Sequence, residues 1–424
     1  METAAKQTRA GDSTGDRLSA LPDELLHHVL SFLPSRRAVQ TGVLSKRWTG
    51  LWRSVRRIDI RFDVDTPNYV CNSYSKEKWE KAEVFINNLF KFHDAPSLDA
   101  FQIYIGSNHN DLLPTIDRWV CQGMEYRPHD VEIVYSSIEG AYMLPHLGSS
   151  TALLKKLYLS GMYLDYSFQA QLRSGFPVLE DLTLHDCRTY FDYIQSNTLK
   201  KFVLRDCYRS SKMLVIRAPA LVSLRIVTVL YDNGVALDGP MNYLVNAYIF
   251  PFDDGNSNLS RVSLLGSLFN VTNLELVGLS AQVMLDEGLD KYPVFMNLKT
   301  LSIYRCLYSK TLGEDGCLYS SCDPNDKLKA LGRLLHKAPN LERLTLQSCW
   351  PLQESKQKVT ASDLSLRSLD QKDFNCPSLK FIEIKYKDDG TDDENQMFQL
   401  VCGLLRNLEN PAVTFSRTKG TWSP

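Results

Sequence analysis

The chain has 424 residues, 48 Lys and Arg against 49 Asp and Glu, with 44% hydrophobic and 23% charged residues. A formal net charge of −1 excludes holding nucleic acid by bulk positive charge, so no nucleic-acid partner is expected. The apolar content excludes wholesale disorder. No run reaches 18 uncharged apolar residues, the nearest being broken by Arg217, Pro219 and Arg225, so no membrane association is expected. Residues 1–16 are polar, read as a disordered tail, and carry no apolar signal core. Ten cysteines are then expected as reduced thiols in the nucleus, the cytoplasm or both.

After the tail the pattern becomes helical. Pro22 suits the first turn of a helix, and Asp23 and Glu24 suit the positive end of its dipole. At about 100° per residue, Leu25, Val29 and Phe32 form one stripe, with Leu26, Leu30 and Leu33 beside it. Pro34 is expected to stop this helix. Ser35 is expected to cap a second through Ala38, Val39, Val43 and Leu44, and Ser45 a third in which Trp48, Leu51 and Trp52 share a face. Three helices this short have little core of their own, and the apolar arc is wider than one neighbouring helix covers. Something else must cover the surplus: the rest of this chain, or another protein.

The segments Leu21-Pro22-Asp23-Glu24-Leu25, Leu33-Pro34, Leu44-Ser45-Lys46-Arg47-Trp48 and Leu51-Trp52 follow in that order and resemble the F-box in the form common in plants, over residues 17–55. In that family the module binds a Skp-type adaptor, which links it to cullin and RING subunits of a ubiquitin ligase. By position, the resemblance implies an adaptor-binding surface from Leu21, Pro22, Leu25, Leu26, Val29, Leu30, Leu33 and Pro34. Val39, Val43, Leu44 and Trp48 would complete or support it. Some of these must be core, and the sequence does not sort them.

The remainder of the chain, with residues 56–375 read as the solenoid, carries a recurring spacing: apolar, two residues, apolar, one residue, apolar. Clear copies begin at Leu154, Leu179, Leu199, Leu221, Val271, Leu298, Leu341 and Leu379, with weaker ones at Val55, Leu98, Pro128 and Leu244. From Leu154 the starts advance by 25, 20, 22, 23, 27 and 27 residues, within the period of leucine-rich repeats. Longer later intervals imply insertions near 307–326 and 351–373. Cys187, Cys207, Cys306 and Cys349 each fall eight residues after a repeat start, where a small side chain satisfies turn backbone. The expected class is therefore α+β: a three-helix module, then an α/β solenoid of parallel strands on a concave face. Helical stretches such as 76–92 and 328–336 would lie on the convex side. Strand positions expected to face outward and bind a protein target include Asp181, Thr183, Lys201, Thr300, Ser302, Arg343 and Thr345, with no single charge sign.

Residues 376–424 read as a strand, an acidic loop and a helix over 394–407. They loosely resemble the terminal FBD segment of plant F-box/leucine-rich-repeat proteins, closing the solenoid. No phosphate, dinucleotide, acyl-transfer or zincin motif occurs, and neither a cofactor nor a metal is expected. The spacing of Cys317 and Cys322 lacks a second ligand pair. The resemblance implies a non-catalytic receptor subunit of a ubiquitin ligase. A scaffold without target turnover and a small-molecule-dependent receptor are the alternatives.

Overall fold

The computed structural model describes residues 21–62, 76–106, 112–136, 142–209, 213–228, 235–239, 241–251, 264–277, 293–304, 310–312, 318–320, 331–347, 376–387 and 411–418. The expected helix at 394–407, the insertion at 351–373, Cys306, Cys317, Cys322 and Cys349 lie outside these residues. Helix α1 (Asp23–Leu30) begins after Pro22, whose carbonyl accepts the N–H groups of Leu25 and Leu26. Helix α2 (Ser35–Gln40) passes into a 3-10 turn, Thr41–Val43, and α3 (Trp48–Leu51) into another, Trp52–Ser54.

Neither serine expected as a cap acts as one. At α2 the cap position belongs to Pro34, with φ −54° and ψ 142°. Its fixed φ already supplies the entry geometry, and this moves Ser35 inside the helix. There Ser35 is buried, and its Oγ accepts the N–H of Asp59 at 2.9 Å. At α3 the chain arrives already helical, Arg47 having φ −62° and ψ −41°, so no extended residue is available to cap. The Ser45 hydroxyl is buried with no hydrogen-bond partner among the described residues.

Strand β1 (Arg57–Phe62), helix α4 (Lys76–Phe92), strand β2 (Ala100–Gly106), helix α5 (Leu113–Glu125) and strand β3 (Asp130–Ser136) follow. The chain divides within β3, between Val131 and Glu132, into two compact units. In the first, β1 and β2 run parallel, Ile58 opposite Phe101 and Ile60 opposite Ile103. Helix α4 has the expected limits. Its Trp79 ring lies 5.2 Å from that of Trp119 on α5, whose Nε1 donates to Asn87 at 3.1 Å.

The second unit is a ladder. Strands β4 (Lys156–Ser160), β5 (Asp181–His185), β6 (Lys201–Arg205), β7 (Ser223–Thr228), β8 (Asn246–Pro251), β9 (Asn273–Val277), β10 (Thr300–Tyr304), β11 (Arg343–Gln347), β12 (Phe381–Lys387) and β13 (Ala412–Thr418) each pair in parallel with the next in chain order. The repeat spacing dictates this. In the copy starting at Leu179, Leu179, Leu182 and Leu184 are all buried, and each later copy through Leu379 buries its own three anchors. At roughly 1.5–3 kcal/mol per buried aliphatic side chain, no single repeat outweighs its ordering entropy, whereas a stack of them does.

Backbone bonds lock the register at each step. The Lys155 carbonyl accepts the N–H groups of both Glu180 and Asp181, and the Glu180 carbonyl those of Lys200 and Lys201. The same pairing recurs through Lys380 and Phe381, which share the Glu342 carbonyl. After the strands the chain turns through left-handed residues at equivalent places, Gly161 (φ 71°), Asp186 (φ 50°) and Asp206 (φ 50°). The next residues in two of these turns are Cys187 and Cys207. Both thiols are buried and donate to turn carbonyls, Cys187 Sγ to His185 at 3.3 Å and Cys207 Sγ to Arg205 at 3.2 Å.

Three features of the second unit were not anticipated. Helix α6 (Tyr166–Ser174) is capped by Asp165, whose Oδ1 accepts from the N–H groups of Ser167 and Phe168. The insertion near 307–326 contains an antiparallel hairpin, Lys310–Leu312 with Leu318–Ser320. Beyond β12, strand β13 continues the parallel sheet. Among the described residues, no helix is long and apolar enough to cross a membrane, and no group of three or more His, Cys, Asp or Glu residues could hold a metal ion.

Candidate functional site

Two surfaces stand out, one in each unit. In the helical module, Leu26, Leu30, Ala38, Trp48, Leu51 and Val55 form the core, with Leu21, Leu33 and Trp52 packed against it. One stripe of α1 is thus consumed internally. The other is left open, with Leu25 50%, Val29 43% and Phe32 70% exposed. Val43 at 89% and Leu44 at 65%, on the turn after α2, are open as well. Clustered large apolar side chains in water mark an interaction surface. Arg47 braces the module, its guanidinium bonding both the Asp23 carboxylate and the Leu21 carbonyl.

This arrangement sorts the residues expected at the adaptor surface. Leu26, Leu30 and Trp48 are corrected to core, because their side chains keep almost no surface with which to touch a partner. Pro22, Leu25, Val29, Val43 and Leu44 are exposed, and Leu21, Leu33, Pro34 and Val39 are half-buried. Phe32 was left out of the expected set although it belongs to the Leu25–Val29 stripe, and it is more exposed than either. The seven-residue step from Leu25, two helical turns on the same face, was the signal that could have found it.

In the second unit the sheet face opposite the buried anchors carries polar and aromatic side chains. Lys201 and Asp181, both expected to be free for a target, pair with each other across β5 and β6 at 3.1 Å. Thr183 and Thr300 are half-buried, and Arg343 is exposed. Ser302 and Thr345 are corrected to buried, at 9% and 4% exposure; they stand opposite each other in the parallel register, and the Thr345 hydroxyl donates to the Glu383 carboxylate at 3.5 Å. Nearer the strand ends, His185 Nδ1 lies 3.0 Å from the Tyr158 hydroxyl and 3.3 Å from that of Ser160, and its Nε2 lies 3.6 Å from Asp206. Burial holds this imidazole below its ordinary range, helped by Arg205 and opposed by Asp206 and Asp186. Burial raises the Tyr248 and Tyr304 phenols.

Comparison with known proteins matches residues 18–59 to the F-box domain. That span covers the helical module and reaches into β1. The chain is also 31% identical over 412 residues to the meiotic F-box protein MOF of Oryza sativa subsp. japonica, covering 88% of this chain and 80% of the relative. The chain belongs to the plant F-box protein family. It is 27% identical to an FBD-associated F-box protein of Arabidopsis thaliana over 326 residues, 70% of this chain and 73% of the relative. An F-box/LRR-repeat protein of the same plant is 24% identical over 350 residues, 68% and 71% of the two chains.

F-box domains generally bind Skp-type adaptors, and F-box/leucine-rich-repeat proteins are generally non-catalytic subunits of ubiquitin ligases. In this F-box protein the helical module carries an exposed apolar face of Leu25, Val29 and Phe32. The parallel ladder corresponds to the repeats for which the Arabidopsis relative is named.

Proposed function

We propose that this F-box protein is the substrate-recognition subunit of a Skp–cullin–F-box ubiquitin ligase. The single observation that supports this best is the open stripe of Leu25, Val29 and Phe32 on a module whose own core is already complete. A folded chain leaves such a stripe in water only at a cost of about 25 cal/mol per Å² of apolar surface. An adaptor's apolar groove would remove it. The repeats would then hold a protein target. Catalysis would be by proximity, raising the effective concentration of target lysines near the charged ubiquitin-transfer enzyme, with the covalent steps made by partner subunits. The buried thiols of Cys187, Cys207 and Cys376 suit the reducing nucleus or cytoplasm, where we place it.

The test is co-expression with a Skp-type adaptor followed by size-exclusion chromatography, with a Leu25→Ser/Phe32→Ser variant, altered only on the open stripe, alongside. Co-elution of the parent and not of the variant, followed by cullin-dependent ubiquitin transfer to a bound partner, is the expected result. A parent chain that elutes alone, folded and monodisperse, overturns the reading.

A further inference from the structure

We propose that the open sheet face of the second unit binds an extended acidic segment of a partner protein, held at two points by the guanidiniums of Arg225 and Arg343. The proposal rests on the reading that the repeats hold a protein target, and it names that target's chemistry.

Arg225 on β7 lies over the ring of Tyr248 on β8, 3.7 Å from its centroid, and Arg343 on β11 lies over Phe381 on β12 at 5.1 Å. In both cases the ring belongs to the residue directly opposite in the parallel register. Stacking on an aromatic face fixes the plane of a guanidinium while its edge N–H donors stay available, the geometry that grips a carboxylate with two bonds. Among the described residues, neither arginine has a carboxylate within ion-pair distance. Several other basic groups of this face do: Lys201 with Asp181 at 3.1 Å, Arg205 with Asp206 at 3.3 Å, and Lys385 with Glu383 at 3.5 Å. A similar stack in the first unit, Arg61 over Tyr104, is already occupied by both oxygens of Asp59. Among the described residues, Arg225 and Arg343 are thus stacked cations without counter-charges.

Their spacing sets the ligand. Arg225 shares a cross-strand row with Tyr248, Glu275, Ser302 and Thr345, and Arg343 stands two residues before Thr345. Four strand intervals of about 4.8 Å and that offset put the two arginines about 20 Å apart along the sheet. An extended chain rising about 3.3 Å per residue spans this in about six residues. Between them in that row stands Glu275, opposite Tyr248 on one side and Ser302 on the other, which places a negative charge under the middle of the segment. The fitting ligand carries an acid at each end and none between. That pattern disfavours a continuous polyanion such as nucleic acid, which would place phosphates over Glu275.

The test uses the full chain purified with its Skp-type adaptor and fluorescein-labelled Gly/Ser peptides of about twelve residues, long enough to span both arginines. One peptide carries two glutamates six residues apart, a second adds a glutamate midway, and a third has lysines in place of the pair. Fluorescence anisotropy at about 50 mM salt, where screening is weak, is expected to show binding of the first, weaker binding of the second and none of the third. Arg225→Gln/Arg343→Gln is expected to weaken the first about 10-fold or more, and Arg225→Lys about 3-fold through loss of the stacked fork. Lys81→Gln, on the exposed side of α4 in the first unit, is expected to change nothing. If the double variant loses its melting transition, the Arg225→Lys and Arg343→Lys single variants carry the test.

Equal binding of the lysine peptide, unchanged affinity in folded arginine variants, or no binding by the parent chain overturns the proposal. The receptor reading fails separately, through absent adaptor co-elution or absent ubiquitin transfer. Peptide binding with no ubiquitin transfer would leave the acidic clamp standing and remove the receptor.

Discussion

His93 Nε2 lies 2.9 Å from the carbonyl oxygen of Val55, joining the end of α4 to the last core residue of the helical module. A carbonyl only accepts, so the neutral ring carries its proton on Nε2. Nδ1 is then a buried lone pair, and no group bonds it among the described residues. The Tyr126 ring packs edge-on against the imidazole at 5.2 Å. Burial lowers the His93 pKa from 6.5, against the opposing pull of Val55 and Asp94. The folded state therefore binds fewer protons than the unfolded state just below that value. Stability contributed by neutral His93 is full above about pH 6.5 and declines as pH falls from there towards the folded pKa. Urea unfolding between pH 7.5 and 5.5 is expected to show a steeper loss in the parent than in His93→Gln. Equal slopes would remove His93 from the pH dependence, leaving His185, whose pKa is also lowered.

Contact and core in the helical module separate by substitution. Phe32→Ser removes exposed apolar surface, so it is expected to weaken adaptor binding at least about 10-fold, as a central interface residue does, while the melting temperature stays unchanged. Leu30→Ala empties a fully buried site and is expected to cost about 2–5 kcal/mol of stability. Calorimetry and adaptor titration on the same two variants check both. A Phe32 variant with lower melting temperature and normal adaptor affinity would reverse the assignment.

Gly161 and Gly148 both have positive φ, 71° and 60°, yet they predict different costs. A Cβ at Gly161 would stand 1.7 Å from the Tyr135 carbonyl oxygen, whereas one at Gly148 would meet nothing within 4 Å. Gly148→Ala carries only the left-handed penalty, about 1 kcal/mol. Gly161→Ala adds a backbone collision and is expected to cost about 3 kcal/mol or more. Denaturant midpoints measured side by side decide whether backbone conformation or space governs this turn.

The described cysteines should resist alkylation for different reasons. Burial pushes the Cys376 thiol up to about 11 and that of Cys207 well above its usual value. At pH 8 the Cys376 thiolate fraction is then on the order of 10⁻³, and the thiolate is the reacting form. Cys121 is exposed, but partial burial and the carboxylates of Asp117 and Glu125 also raise its pKa. Mass spectrometry after brief iodoacetamide treatment is expected to find Cys121 modified slowly and Cys187, Cys207 and Cys376 unmodified until denaturant is added. Rapid labelling of Cys207 in the folded chain would contradict its structural place in the turn.

The repeat spacing determined the ladder. Three apolar anchors at fixed intervals can be buried only if each copy stacks on the next, so even the weak copies at Val55, Leu98, Pro128 and Leu244 precede the strands β1, β2, β3 and β8. Local motifs likewise determined the three-helix module, because Pro22, Pro34 and the Leu–Trp spacings act within a few residues. Periodicity could not tell which of two adjacent stripes on α1 faces inward. That choice depends on where Trp48 and Leu51 arrive from later in the chain, and they meet Leu26 and Leu30. The same holds on the sheet. Lys201 reads as a free cation until β5 brings Asp181 beside it, and Arg225 is held flat only because β8 places Tyr248 opposite. The period of an element follows from its own residues. Burial and charge pairing between elements depend on register, which only the folded chain sets.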